Sequence, residues 1–528
     1  MSAGRRGVVA LGVILTALGT ASAGSATTAP ELDPSFGGTG RVVVDRVSQS
    51  ETLRAATVQG DGRTVAVGDR KTALGQSAPW VVRRTADGSR DPLFSTNLLV
   101  VGNHVDGVAT SVAVQPDGRV VVAGDLHVPD DIGVWRLTPL GDPDPTFGGG
   151  DGFAVIDSGG DESTGDVALG PGGTIVVVGH TTAPGPGAAI YRLKADGTPD
   201  GTLDQDGALG LGGRESRITG VGVGPDGSLL LAGSLGTVRP SVWRRTLSGA
   251  VDTTYGGGDG MAEVPAASAG VTDVLLEPDG RALVAGRAVT GPGVVAVVAR
   301  LGPDGAPDAS FGGEGGARVD LGGFETFNRL VPLPGGGVAA LGYTASSTDA
   351  FVSRFSGSGM VDRSFGDDGF LVTSSPSMVA VTRGIASGPD GTLVVVGDDA
   401  RVEQHAVLVR LRAASGAVVA PPAAPAASVP GCHGHPATLV GSADNDRLRG
   451  TRKADVVVAL GGDDVIKGLG GNDVVCAGDG NDQVSGGSGK DRLYGERGKD
   501  RLVGGSGKDR LVGGPDRDTT HAREEAPS

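Results

Sequence analysis

Residues 115–148 read QPDGRVVVAGDLHVPDDIGVWRLTPLGDPDPTFG, and three elements of this stretch recur through the first 412 residues. Two β-rich runs flank Pro116-Asp117-Gly118, a run from Val134 ends in a basic residue, and a turn runs from Asp144 to Gly148. The turn returns as DPSFG at Asp33, DPLF at Asp91, DGTL at Asp200, DTTYG at Asp252, DASFG at Asp308 and DRSFG at Asp362. Successive spacings are 58, 53, 56, 52, 56 and 54 residues. The P-D-G element keeps step with it, around Asp61, Gly172, Asp226, Asp279, Gly335 and Asp390. The basic-ended strand recurs as WVVRR from Trp80, IYRL from Ile190 and VLVRL from Val407.

Each copy reads as four short strands. A run such as RVVVD from Arg41 or GFAVID from Gly152 follows the Phe-Gly turn and is taken as the first strand of its copy. Two runs then form a hairpin about P-D-G, where Gly supplies positive φ, and the fourth strand carries the basic residue. Seven units of four antiparallel strands at a period near 55 residues predict a seven-bladed β-propeller. A β-helix needs a much shorter period, and no helical periodicity is present. The units resemble the delta-60 repeat proteins over residues 31–412, which implies a propeller and no particular activity.

Residues 413–431, AASGAVVAPPAAPAASVPG, lack alternation and read as a Pro/Ala-rich linker. Beyond them the period becomes nine. Asp occupies the sixth place at Asp446, Asp455, Asp464, Asp473, Asp482, Asp491, Asp500, Asp509 and Asp518. An aliphatic occupies the eighth place from Leu448 to Leu511. This pattern resembles the haemolysin-type (RTX) calcium-binding repeats over residues 432–518. The resemblance implies a parallel β-roll of two nonapeptides per coil, with Asp455 stacked on Asp473 and Asp464 on Asp482. It implies several Ca²⁺ ions held by the Asp of each turn and by turn backbone at Gly461, Gly462, Gly470, Gly471 and Gly480. A hard cation wants about six to eight oxygens, and glycine lets carbonyls converge on it. The eighth-place aliphatics are expected to be the only core of the roll, so folding is expected to depend on metal.

The first two copies lack the early turn glycines, with Asp444 and Lys453 in place of Gly at the fourth place. The late copies set Lys490, Lys499 and Lys508 beside the ligand Asp, with Arg492, Arg501 and Arg510 just after it. Two alternatives stand for these cations: a solvated outer face, or repulsion that weakens calcium binding. Residues 519–528 are expected to be a disordered tail.

Export is read from the N-terminus. Arg5 and Arg6 precede an apolar run too short to span a membrane, which ends in Ala21-Ser22-Ala23, so residues 1–23 read as a cleaved signal peptide. An extracellular or surface-associated chain without a membrane span follows. In that setting one disulfide between Cys432 and Cys476 is favoured over two free thiols, with a soft-metal site at Cys432-His433-Gly434-His435 as the other alternative.

Composition narrows the function. A net charge of −16 excludes nucleic acid as the main ligand, because phosphates need a basic footprint. Aromatics at 3% argue against a base-stacking or sugar-stacking platform. Residues 32–440 hold 44 acidic and 29 basic side chains, whereas residues 441–518 hold 14 and 13. Neither G-x-S-x-G nor H-E-x-x-H occurs, and the seven histidines share no repeat position, so no catalytic residue is assigned. The expectation is a secreted calcium-binding protein whose propeller binds an extracellular protein or polysaccharide. A secreted hydrolase or lyase and a purely structural envelope protein are the alternatives. The loops opposite the P-D-G turns vary most, as in DLHVPDDIG from Asp125 and DSGGDESTG from Asp157, and are the candidate recognition face.

Overall fold

A computed structural model describes residues 31–412 and 431–521, except 45–49, 73–74, 96–98, 100–105, 128–129, 183–185, 205, 213–215, 235–239, 291–292, 313–314, 322, 345–349, 367–368, 374–380, 400–404, 434, 442–444 and 516. Residues 1–23, read from the sequence as a signal peptide, and residues 413–430 of the linker lie outside the described residues. The chain divides into two compact units, Met1–Pro421 and Pro422–Ser528. Among the described residues no helix is long and apolar enough to cross a membrane.

The first unit is a seven-bladed propeller of antiparallel sheets whose innermost strands pack side by side around a ring. The second blade is representative, with Gly107–Val114, Val120–Leu126, Ile132–Leu137 and Phe153–Ile156 in spatial order. Its P-D-G turn is set by Gly118, whose φ of 86° suits glycine and whose N–H donates to Gln115 O at 2.9 Å. The inner strand bulges between Ala109 and Ser111, and all seven blades bulge at the same place. Opposite the bulge the second strand needs glycine: a Cβ on Gly124 would lie 2.0 Å from Val108 O.

The strand order corrects one expectation. The run after each Phe-Gly turn is the outer, fourth strand of the blade before it, and the basic residue sits on the third strand. The turn folds straight back on the strand it leaves, with Asp144 N–H donating to Arg136 O at 2.9 Å and Phe147 N–H to Asp144 O at 3.1 Å. The following run therefore pairs with that same strand. One consequence is that Arg41–Val43 pairs antiparallel with Val407–Val409, so the N-terminal strand completes the last blade and closes the ring.

The basic residue is the staple of the propeller. Arg192 (1% exposed) pairs with Asp200 at 2.8 Å and donates to Leu247 O of the next blade at 2.5 Å. The same device joins Arg83 to Asp91 and Pro139 O, Arg244 to Asp252 and Pro303 O, and Arg300 to Asp308 and Gly357 O. Arg136 with Asp144 reaches Ala195 O, Arg354 reaches Arg412 O, and Arg410 with Asp33 reaches Ala86 O, which completes the circuit of seven blades. Where the turn carries a ring, the guanidinium also lies over it, 4.8 Å from the Phe147 centroid for Arg136.

The second unit is a parallel coil. One sheet holds Leu439–Val440, Val456–Val458, Val474–Asp479, Arg492–Arg497 and Arg510–Val512. The facing sheet holds Arg447–Arg449, Val465–Gly470, Gln483–Gly489, Arg501–Gly507 and Thr519–His521. Val457 lies opposite Val475, a step of 18 residues, so each coil takes two nonapeptides. Val457, Ile466, Val475, Val484, Leu493 and Leu502 fill the interior. Two expectations are corrected. Thr519–His521 is a strand and not tail, because Arg501–Val503 offers it an open backbone edge. The interior is also not the only apolar cluster: Cys432, Val458, Val474 and Cys476 form a second one outside the coil.

Arg192→Ala strands the buried Asp200 carboxylate and cuts an inter-blade bond. It is expected to cost the propeller about 3–5 kcal/mol in denaturant unfolding. Arg497→Ala, at an exposed pair with Asp479 in the second unit, is expected to cost under about 1 kcal/mol.

Candidate metal centre

Each sixth-place aspartate immediately precedes a strand that opens at the seventh place and, in Val465–Gly470 and Val474–Asp479, runs on to the third place of the next repeat. Asp464, Asp473, Asp482, Asp491 and Asp500 are all buried. They form two rows, one through Asp446, Asp464, Asp482, Asp500 and Asp518, the other through Asp455, Asp473, Asp491 and Asp509. Along each row the Oδ1 of one Asp accepts the backbone N–H of the Asp 18 residues earlier. The bond from Asp455 N to Asp473 is 2.9 Å, from Asp464 to Asp482 2.8 Å, and from Asp473 to Asp491 2.9 Å. The stacking of Asp455 on Asp473 and of Asp464 on Asp482 is thus a direct hydrogen bond.

The other oxygen is the informative one. Oδ2 of Asp464, Asp473, Asp482, Asp491 and Asp509 is buried and accepts no hydrogen bond among the described residues. A buried carboxylate oxygen without a partner is costly unless a cation meets it. Beside Asp473, Asp491 and Asp509 glycine at the first place leaves the space open, whereas Ala459 and Ala477 hold that place before Asp464 and Asp482: a Cβ on Gly468 would sit 2.4 Å from Asp473 Oδ2, and one on Gly486 2.5 Å from Asp491 Oδ2. The carboxyls of Asp473 and Asp482 are pushed up to about 6, by burial first. Backbone N–H groups oppose the shift, and the stacked carboxylates reinforce it, Asp491 and Asp455 on Asp473 and Asp464 and Asp500 on Asp482. Burial also raises Asp464 and Asp491. Hard oxygens, negative charge and open space fit Ca²⁺, whose charge would neutralise the rows.

Not every predicted residue plays the same part. Asp455 is satisfied by the protein, since its Oδ2 accepts both the N–H (2.6 Å) and the hydroxyl (3.0 Å) of Thr451. Gly462, Gly471 and Gly480 at the fourth place adopt φ of 101°, 115° and 136°. Gly461 and Gly470 at the third place do not lie in that left-handed region. The second place does, and there Leu460 (φ 77°), Leu469 (79°) and Glu496 (72°) bear the strain that glycine would avoid. Composition hid these three, although the absence of glycine from a turn position is the signal that finds them. Lys490, Lys499, Lys508, Arg492, Arg501 and Arg510 are exposed while Asp491 and Asp500 are buried, so the cations form an outer face. Cys432 and Cys476 are joined in a disulfide, and His433 stacks on Tyr494 with ring centroids 3.8 Å apart, which leaves Cys432-His433-Gly434-His435 without a free thiol.

Comparison with known proteins agrees with this division. The RTX calcium-binding nonapeptide repeat model matches residues 450–484 and 485–520. The beta-propeller described as Domain of unknown function (DUF5122) matches residues 59–94, 115–147, 171–203 and 277–311. The chain therefore carries DUF5122-type propeller repeats followed by RTX repeats, a combination that fits a calcium-binding module. No curated protein matches it. Among solved structures, puromycin hydrolase is 17% identical with a TM-score of 0.42, over 68% of this chain and 52% of that one. This chain thus spans about half the length of that enzyme. Hydrazine synthase of Kuenenia stuttgartiensis is 13% identical with a TM-score of 0.42, over 71% of this chain and 99% of that one. A protein of unknown function from Dyadobacter fermentans is 13% identical with a TM-score of 0.35, over 71% and 98%. Each likeness is remote, and none bears on activity.

Asp482→Asn keeps the acceptor for Asp464 N–H and removes one charge from the row. The expected outcome is at least one fewer bound calcium per chain by equilibrium dialysis, with the coil still folded by circular dichroism. Acidity supplies a second check. Asp473 and Asp482 hold protons more tightly when folded, so the metal-free coil keeps this stability below about pH 4 and loses it as pH rises through about 6. Melting of chelator-treated protein from pH 4 to 7 is expected to shift the coil transition downward, and saturating calcium to abolish that trend.

Proposed function

We propose that this is an exported calcium-binding protein in which Ca²⁺ completes the folding of the C-terminal coil and the propeller presents a recognition face to an extracellular protein or polysaccharide. The observation that carries the reading is the row of buried Oδ2 atoms without partners among the described residues, those of Asp473, Asp491 and Asp509 beside space that a first-place glycine keeps open. At the low calcium of a cell interior these carboxylates repel one another. At the higher calcium outside, the ions convert repulsion into cross-links between coils, so binding energy becomes folding energy. Export rests on the apolar N-terminal segment and its small-x-small end.

In the propeller the P-D-G hairpins and the Asp-x-x-Phe-Gly turns share one end of the blades and carry the Arg–Asp staples. The opposite end has no common structural duty and varies from blade to blade, which suits it to ligand recognition. Catalysis is not part of this reading.

The test is a calcium titration of the full chain, followed by calorimetry and far-UV circular dichroism, with magnesium as control. A second, calcium-dependent unfolding transition with several ions bound supports the reading. Each site gains about 2.7 kcal/mol at a calcium concentration 100 times its dissociation constant. An unfolding profile unchanged between chelator and millimolar calcium overturns it.

A further inference from the structure

Two of the propeller loops that vary from blade to blade meet at one place. Glu162 N–H donates to Asp130 O at 2.8 Å, which draws the loop before Ile132–Leu137 onto the start of Glu162–Leu169 in the next blade. The contact gathers three carboxylates: Asp131 and Glu162 are buried, Asp157 is exposed, and one oxygen from each lies within 4.8 Å of the other two. That spacing is about twice a calcium–oxygen distance of roughly 2.4 Å, so a single ion can touch all three.

Two further observations point to a cation. Glu162 is 4% exposed; its Oε1 accepts from Ser158 Oγ at 2.5 Å and Thr181 Oγ1 at 2.9 Å, while its Oε2 is buried and accepts no hydrogen bond among the described residues. The first blade shows how one such glutamate is answered. Glu51 holds the corresponding place, opposite Arg70 in the cross-strand register, and the two form an ion pair at 2.9 Å. In the third blade the register partner of Glu162 is Thr181. Among the described residues no Lys, Arg or His forms an ion pair with Asp131, Asp157 or Glu162, and Asp130 and Asp161 beside them add negative charge. A cavity of about 450 Å³, lined in part by Asp157, Ser158, Thr181 and Tyr191, opens beside the group and gives an ion access.

We propose that Asp131, Asp157 and Glu162 form a divalent-cation site of calcium type on the propeller, separate from the nonapeptide coil. The ligands are hard oxygens, with three carboxylates to balance the charge, and solvent on the Asp157 side completes the shell. A bound ion would pin the two variable loops together at the recognition end, so this face would be ordered by the same ion that orders the coil. The inference does not depend on calcium binding by the coil.

The test uses the full chain at about 1 mM calcium, the range of extracellular calcium modules. Bound calcium is counted by equilibrium dialysis for the parent, Glu162→Gln and Thr181→Arg, and hydrogen exchange is followed in peptides covering 157–164 and 474–479. Glu162→Gln keeps the shape and the hydroxyl contacts. Thr181→Arg supplies the counter-ion that Arg70 gives Glu51, so it is expected to keep or raise the melting temperature while displacing the ion. The expected result is one fewer ion per chain in both variants, with calcium-dependent protection of 157–164 lost and that of 474–479 retained. An unchanged ion count in Thr181→Arg, or no calcium-dependent protection of 157–164 in the parent, overturns the site. Failure of the coil would appear separately, as absent protection at 474–479.

Discussion

Both units rest on an aspartate carboxylate whose two oxygens have different duties. In the propeller, Asp200 Oδ1 accepts the N–H of Thr202 and its Oδ2 meets the Arg192 guanidinium. In the coil, Asp473 Oδ1 accepts the N–H of Asp455 and its Oδ2 accepts no hydrogen bond among the described residues. The first arrangement is complete as translated. The second is half of a site. Glu162 repeats the half-complete arrangement within the propeller, where one blade position has Arg70 and another has Thr181.

The acidities follow from that difference. Asp308 is held down to about 2, chiefly by the Ser310 hydroxyl and N–H, with Arg300 adding to them against the opposing effect of burial. Asp473 and Asp482 are driven the other way, to about 6, because burial and neighbouring carboxylates act on them with no internal cation in reply. The same residue type therefore stabilises the propeller as a carboxylate and burdens the metal-free coil as one. Net charge alone would not reveal this, since the coil is nearly neutral overall: its cations face solvent, whereas the sixth-place aspartates from Asp464 to Asp500 are buried.

Much of this was legible in the sequence because repetition exposes period. Seven copies and a nine-residue register were enough for the propeller, the coil and the stacking of its Asp. A period does not say where a unit begins, however, so the strand after each Phe-Gly turn was placed in the wrong blade until the turn geometry assigned it. The basic residue on the third strand was visible, but its partners were not, because the Asp lies eight residues on and the carbonyl one blade away. Glycine content misled in the coil: Gly461 and Gly470 sit one place beyond the position whose φ is positive, and Leu460 and Leu469 adopt it instead. Thr519–His521 escaped notice because Thr520 breaks the aliphatic series, although its backbone still completes a sheet.

The pairing of Arg41–Val43 with Val407–Val409 sets the order in which the ring can form. The first strand made is bonded to nearly the last, so it waits while six blades assemble, and joining it closes a loop at a cost of about 5 kcal/mol in chain entropy. Until then the growing propeller is an open arc with a bare strand at each end, the kind of edge that recruits neighbouring chains. A chain cut short within the seventh blade would not be a smaller propeller. It would be an arc that never closes, and completion is all that separates a ring from an edge open to other chains.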